Sequence, residues 1–461
     1  MSDSALSLYI MLSEVEACVK KFILMNCKIK SLIKISLIFV FSLWISLHLF
    51  AQTSVDSSLV GRKIISIKIQ GNKKTKPSVI LREMRQKIGN CLNPQFLEDD
   101  RKRIESLYLF NRVVIRAEPE GEGVCLHIVV TERWYFFPYP IFFINERSWS
   151  KLSYGAGLTH LNFRGYGDIF TFLFWLGYNP AFQFFYTNPW FNRKHNLSAS
   201  ISLFYNRVRS KHFEKKEITE NHMGFQWTLG KRFGLYKFFS LTLGYQEIKF
   251  SPSIPGQTLS SNGRDRLPML SFLLIYDHRD LKEYPHSGWY ARLYARKTGF
   301  PFLTVNYFRY SFDIRKYFPM LHSSTLALRT AADLSEGKIP VYDRVYLGYS
   351  ERVRGHFFEK FEGENRALAS VVFRFSLLPV RYFNISSLSQ LKDLKFGISF
   401  GFFADTGLTW FQKEKIESSM LQSGYGCGIH FHLPYISILR LEMAFNEKGR
   451  KEFIIDLNTD I

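Results

Sequence analysis

The stretch FRYSFDIR, residues 308–315, carries the reading of the fold. Phe308, Tyr310, Phe312 and Ile314 alternate with Arg309, Ser311, Asp313 and Arg315. A period of two puts one set on each face of a β-strand. The pattern recurs. Leu197, Ala199, Ile201 and Leu203 alternate with Ser198, Ser200 and Ser202, and Trp289, Ala291, Leu293 and Ala295 with Tyr290, Arg292, Tyr294 and Arg296. From Pro138 to the C-terminus no convincing helical period intervenes. Alternation alone also suits a soluble sandwich, so the choice rests on further features.

Aromatic residues make up 17% of the chain, with 45 Phe and 24 Tyr, yet 22% is charged. That mixture fits a large apolar outer surface around a polar interior, the reverse of an ordinary globule. Aromatics also gather at strand ends, as at Tyr186, Trp190 and Phe191, where interfacial girdles sit. Strands cross lipid only as a closed barrel, because an open edge leaves backbone groups unpaired in hydrocarbon. Residues 138–461 supply about sixteen strands at roughly ten residues each plus connections. The expected fold is mostly β, an antiparallel transmembrane barrel of about sixteen strands.

A leader supports export. Lys28, Lys30 and Lys34 precede an apolar run over 35–50, and Ala51 follows. The run falls short of the ~20 residues of a spanning helix and contains His48, so residues 1–51 read as a cleaved signal peptide, with Met25 as the candidate true start. The formal net charge is +21, of which the leader holds +2. Such an excess suits anionic lipid or an acidic partner; no zinc finger, arginine-rich helix or RNA-binding fingerprint accompanies it, so nucleic acid is not expected. Cys91, Cys125 and Cys427 lack metal-ligand spacing. Only Cys91 and Cys125 are near enough in sequence to bridge, and unpaired thiols are the favoured state.

Residues 61–133 read as a small α+β domain. Ile65, Ile67 and Ile69 alternate with Ser66, Lys68 and Gln70, and Gly71-Asn72 ends that strand. Pro77 opens a helix that Gly89 stops, and Asn93-Pro94 caps and starts a second. Residues 110–117 and 124–130 are two more strands, joined at a Glu-Gly-Glu-Gly turn. The order is strand, helix, helix, strand, strand.

This arrangement resembles the outer-membrane protein assembly factor superfamily, the bacterial surface antigens of the BamA and TamA type, with one POTRA domain ahead of a barrel. GLTHLNFRGYGD at 157–168 is similar to the family's entry into the barrel, and YTNPWF at 186–191 to its early Asn-Pro-Trp hairpin. YDHRDLKEYPHSG sets Asp277, Arg279, Asp280, Pro285 and Gly288 at the spacing of a family turn motif. Val353-Arg354-Gly355, then His356 and Phe357, resembles the Val-Arg-Gly-Phe/Tyr signature of a long loop that folds into the lumen. FADTG, with Asp405 and Gly407, matches its companion on an inward-facing strand. The resemblance implies that Asp405 receives Arg354: a buried guanidinium needs a partner, and its fork suits a carboxylate. Three departures stand out. His356 intervenes before the aromatic; Val372 stands where relatives often carry Glu, so a second lumenal carboxylate is expected to be missing; and the last strand, read over 452–458, does not end in an aromatic.

Asp277-His278-Arg279-Asp280 reads as a turn with internal ion pairs rather than acid/base machinery. Gly424-Tyr425-Gly426-Cys427-Gly428 lacks the Lys-Ser/Thr of a phosphate loop and reads as a strand whose small residues relieve crowding. His430 and His432 share a face without a third ligand. No enzyme, cofactor or metal is expected. By resemblance, the protein sits in the outer membrane of a Gram-negative bacterium with its POTRA domain in the periplasm, and inserts or translocates other proteins. Clients, meaning unfolded outer-membrane or secreted proteins, would join a POTRA edge at Ile65, Ile67 and Ile69 or at Val124 and Ile128. Outer-membrane lipids are the other expected partner, with periplasmic or inner-membrane accessory proteins as further candidates. The alternatives are a pore dedicated to one substrate, as in two-partner secretion, and a structural barrel that binds lipopolysaccharide.

Overall fold

The computed structural model describes residues 56–144, 149–209, 218–253, 255–320, 323–348, 351–356, 359–435 and 438–457. The leader, Phe357 and the residues from Asn458 onward lie outside this set.

The small domain is built on a three-stranded sheet in the order β1-β3-β2, where β1 is Ile64–Gln70, β2 Phe110–Glu120 and β3 Gly123–Glu132. The first helix, α1 (Pro77–Leu81), is short. The second, α2 (Pro94–Glu105), starts where Asn93 accepts hydrogen bonds from the Gln95 and Phe96 amides, satisfying donors that have no partner inside the helix. Val79, Ile80, Leu97 and Ile104 pack against Ile64, Val113, Ile115, Leu126 and Ile128 to form the core. Cys91 is exposed, Cys125 is buried, and neither is bonded.

From Phe136 the chain forms a 16-stranded antiparallel sheet. Strands β4 (Phe136–Ile144) to β14 (Ser324–Gly337) follow in sequence. The sheet ends with β17 (Asn365–Phe383), β18 (Leu394–Trp410), β19 (Gln422–His432), β20 (Leu439–Asn446) and β21 (Lys451–Asp456). A loop over 338–364 joins β14 to β17 and carries its own two-stranded piece, β15 (Val345–Leu347) with β16 (Phe361–Gly363). Among the described residues the ladder runs unbroken from β4 to β21, and no pairing joins those two terminal strands.

The sequence alternation becomes an inside and an outside. On β12 (Gly288–Gly299), Trp289 and Leu293 are exposed on the outer face, as are Phe308, Tyr310 and Ile314 on the paired β13 (Asn306–Pro319). Two lysines bracket this apolar band. Lys316 Nζ lies 4.3 Å over Trp289, and Lys297 Nζ lies 4.0 Å over Phe308. From Trp289 to Lys297 is about 27 Å along the strand at ~3.4 Å per residue. Tilted by ~40°, that matches roughly the height of an outer-membrane apolar belt. Long lysine stems at such borders carry the ammonium toward water. Inside, Asp313, Arg315 and Arg329 are buried and bonded to one another.

Candidate functional site: a clasped loop and an open edge

The long loop enters the barrel and is held by side chains from three strands. Arg354 donates from Nε and Nη2 to both Asp405 oxygens, at 2.6 and 2.8 Å, and its Nη1 donates to Glu442 Oε1 at 3.1 Å. The Arg354 amide also donates to Asp405, and Nη2 to Ser370 Oγ at 3.3 Å. The Phe403 ring lies 3.7 Å beneath the guanidinium. Arg354 and Asp405 are each 6% exposed, and Glu442 is 1% exposed. Charges taken this far from water are tolerable only when paired, and the pairing here falls on Glu442 Oε1, while Oε2 has no hydrogen bond among the described residues. The missing second carboxylate at Val372 is therefore made good elsewhere: β20 supplies Glu442 from the lumenal face of Arg440, Glu442, Ala444 and Asn446.

Glycine makes the loop fit. The carbonyl oxygen of Arg354 lies 1.7 Å from where a Cβ on Gly424 would stand, so only glycine admits the loop backbone there. The β18–β19 register puts Gly424 opposite Asp405 and Gly426 opposite Phe403, on the lumenal face. Gly355 turns the loop tip with φ +102°, in the left-handed region. Gly407 leaves room for Leu347 and Val353, which pack with Leu368. His356, the intruder in the motif, is buried; its Nδ1 meets Glu359 at 2.6 Å and its Nε2 meets Glu447 at 2.8 Å. Burial works against its charge, but hydrogen bonds to Glu359 and Glu447 outweigh that and raise its pKa above the ordinary imidazole value. Further ties run from Arg329 to Glu351 at 3.0 Å and from Tyr307 to Asp343 at 2.7 Å. Arg352 and Arg440 both bind Asp456 of β21.

At the opposite end of the barrel the POTRA domain is docked. Arg232 grips Glu83 through two 2.6 Å bonds. Burial pushes the Glu83 carboxyl up, yet Arg232 overrides it and the pKa falls below the ordinary range. Burial lowers Arg82 to about 10, with its guanidinium 4.7 Å over Trp190. Trp190 thus belongs to the domain junction, while Phe191 stays exposed. The turn motif serves the same junction. Asp277 holds Arg279 bidentately, Asp280 accepts from the His286 and Ser287 amides and from Lys102 of α2, and the Pro285 carbonyl accepts from Arg374. Gly288 has φ +111° where the chain re-enters the sheet. In the barrel-entry segment, Asn162 donates to Thr75, and the Gly165 carbonyl accepts from the Lys76 amide.

One expectation about clients is corrected. β3 lies between β1 and β2, with ladder partners on both sides, and Val124 and Ile128 are fully buried. They are core residues and cannot form an edge. β1 is an edge, paired only to β3 within the sheet. A register shift after Ile64 turns Ile65 outward, where it is 46% exposed, while Ile67 and Ile69 lean on the core. The start of that edge is covered by Gly89 and Asn90, which exchange hydrogen bonds with Ile64.

The other end of the sheet contrasts with the clasped wall. Register places Phe137, Tyr139, Ile141 and Phe143 of β4 on the lumenal face, opposite Thr159, Gly157, Gly155 and Ser153 of β5 (Leu152–His160). Leu173 and Trp175 of β6 (Ile169–Gly177) and Phe185 of β7 (Ala181–Asn192) continue that face. Tyr139, Phe143 and Phe185 remain exposed there. The outer face of β4 is also apolar, with Phe136 and Phe142 exposed.

Fold and site together define an outer-membrane β-barrel with an in-folded loop and one POTRA domain. Residues 162–458 match the Omp85 superfamily domain, and residues 62–133 match the POTRA model, a surface antigen variable number repeat. The chain belongs to the Omp85 superfamily, which places it in the outer membrane. Among solved structures, it resembles BamA from Haemophilus ducreyi lacking POTRA domains 1–3, at 19% identity and TM-score 0.50, covering 86% of this chain and 83% of that one. CdiB from Escherichia coli is similar at 13% identity and TM-score 0.55, covering 87% of this chain and 75% of that one.

Proposed function

We propose that this protein assembles or translocates other proteins at the outer membrane, receiving clients on a periplasmic POTRA domain and passing them to the barrel edge. The carrying observation is the contrast around the barrel. One wall is clasped by the loop, while the terminal strands β4 and β21 have no mutual pairing among the described residues. An extended client segment finds two templates of the same kind, the part of the β1 edge beyond Ile64 and the edge of β4, neither of which has a strand on its outer side among the described residues. Arg354, Gly355 and Asp405 then act as the lock that holds the β17–β20 wall while the β4 side works.

The dedicated-pore reading has its own support in the exposed aromatic face inside β4–β7, which suits a passing chain. In vivo photocrosslinking from Ile67 in β1 distinguishes the two. Capture of several unfolded barrel proteins is the result expected for an assembly factor. Capture of one secreted protein moves the function to a dedicated transporter, and capture of none removes the POTRA edge from either scheme.

A further inference from the structure

A cavity of about 330 Å³ lies where the POTRA domain meets the barrel. Its wall carries both kinds of charge, and the pairing is lopsided. The acids are engaged: Glu105 with Arg101, Glu283 with Lys395, and Asp393 with Arg112. Two arginines are left over. Arg374, on β17, is 4% exposed, stacks on Tyr284 at 3.8 Å, and spends its Nη2 on the Pro285 carbonyl. Arg133, in the linker between β3 and β4, stacks on Tyr435 at 4.9 Å and gives Nη1 to the Tyr108 carbonyl. Among the described residues neither has a carboxylate within ion-pair distance, and the Nε of each is buried with no hydrogen-bond acceptor.

A guanidinium held on a cavity wall without a carboxylate partner, as Arg374 is when buried and Arg133 when half-buried, is costly unless something anionic completes it. We propose that this junction cavity binds a phosphate-type oxyanion, either free phosphate or the headgroup of a phospholipid. Phosphate presents oxygens in three dimensions, so it can take forks from two arginines on different walls; a carboxylate offers two coplanar oxygens and suits one. Arg374 is almost wholly buried, which leaves its charge less screened than at a surface. Because Arg133 belongs to the linker and Arg374 to the barrel, the site is complete only in the docked molecule. Occupancy therefore couples to POTRA docking, since a ligand that binds only the docked form favours it. This inference does not depend on which kind of client the protein handles.

The test is titration of the full-length protein in detergent with inorganic phosphate, read by calorimetry and by melting temperature. Saturable binding with a raised melting temperature is expected. Arg374→Gln and Arg133→Gln should each weaken it roughly tenfold or more. Lys316→Gln, on the lipid face, should leave it unchanged. Arg374→Lys keeps the charge but loses the fork; if Arg374→Gln fails to fold, weakened binding by the lysine variant still supports the site. Competition with dioctanoyl phosphatidic acid assigns the source: displacement of free phosphate points to a headgroup, and failure to displace it points to the free anion. No binding of either probe, or binding equal in wild type and both glutamine variants, overturns the proposal.

Discussion

The lumenal wall formed by β17–β20 and the wall formed by β4–β7 belong to one sheet, yet they solve opposite problems. On the first, Arg354 is buried among Asp405, Glu442 and Ser370 over Phe403, and Gly424 lets the loop backbone touch the strand. On the second, Tyr139, Phe143 and Phe185 face the lumen without such a partner layer, beside a terminal strand with no described pairing to β21. The lesson is that rigidity here is local. A buried ionic network fixes one wall and the loop, so opening can be confined to the other.

The largest break in that contrast is Arg354→Ala. It strips buried Asp405 of its bidentate guanidinium and buried Glu442 of its nearest cation, leaving the Ser370 hydroxyl on the first and His430 and Arg440 on the second, with an expected cost of about 3–5 kcal/mol. Heat-modifiability on gels should shift to lower temperature; an unshifted profile would remove the lock from the account. Gly424→Ala comes next, and it touches no charge. Its Cβ would sit on the Arg354 carbonyl, so the loop must leave its seat, exposing the residues near 354 to protease while the barrel stays folded. Undiminished protease resistance would contradict the close approach.

Much of the clasped wall was legible in the sequence, because Val-Arg-Gly and Phe-Ala-Asp-Thr-Gly are contiguous strings and a charged loop needs an acceptor. Glu442 was not, since it stands far along the chain in an ordinary alternating strand, and only register brings it beneath Arg354. The glycines of 424–428 were legible as relief of crowding, but not what crowds them. The central placement of β3 is hidden in the sequence for a related reason: an apolar run of that length suits a central strand and an edge strand alike. The Glu83–Arg232 junction had no signal at all, because ion pairs between domains follow no spacing.

A smaller effect should appear at that junction. Glu83 has a depressed pKa in the folded protein, so its contribution is present above the ordinary carboxylate value of 4.5 and is lost as the pH falls through the folded value. The protection factors of POTRA amides near α1, corrected for the intrinsic exchange rate at each pH, should therefore fall on acidification below about pH 4.5, and Glu83→Gln should flatten that dependence. His356 carries the opposite sign. Its raised pKa gives stability that is complete below the ordinary value of 6.5 and is lost as the pH rises through the folded value. Loop protection from protease should weaken over that alkaline step, and His356→Gln should abolish the step while leaving Arg354 seated. A pH-independent wild-type loop would show that His356 plays no part in holding it.

The most direct test of the two-wall account is hydrogen–deuterium exchange on the purified full-length protein, comparing β4–β5 with β17–β19. Local opening free energy sets the exchange rate, so the comparison reads the contrast itself. Fast exchange is expected in β4 and β5, slow exchange in β17–β19, and a marked loss of that difference in Arg354→Ala. Equal protection of the two walls in the wild-type protein would contradict it.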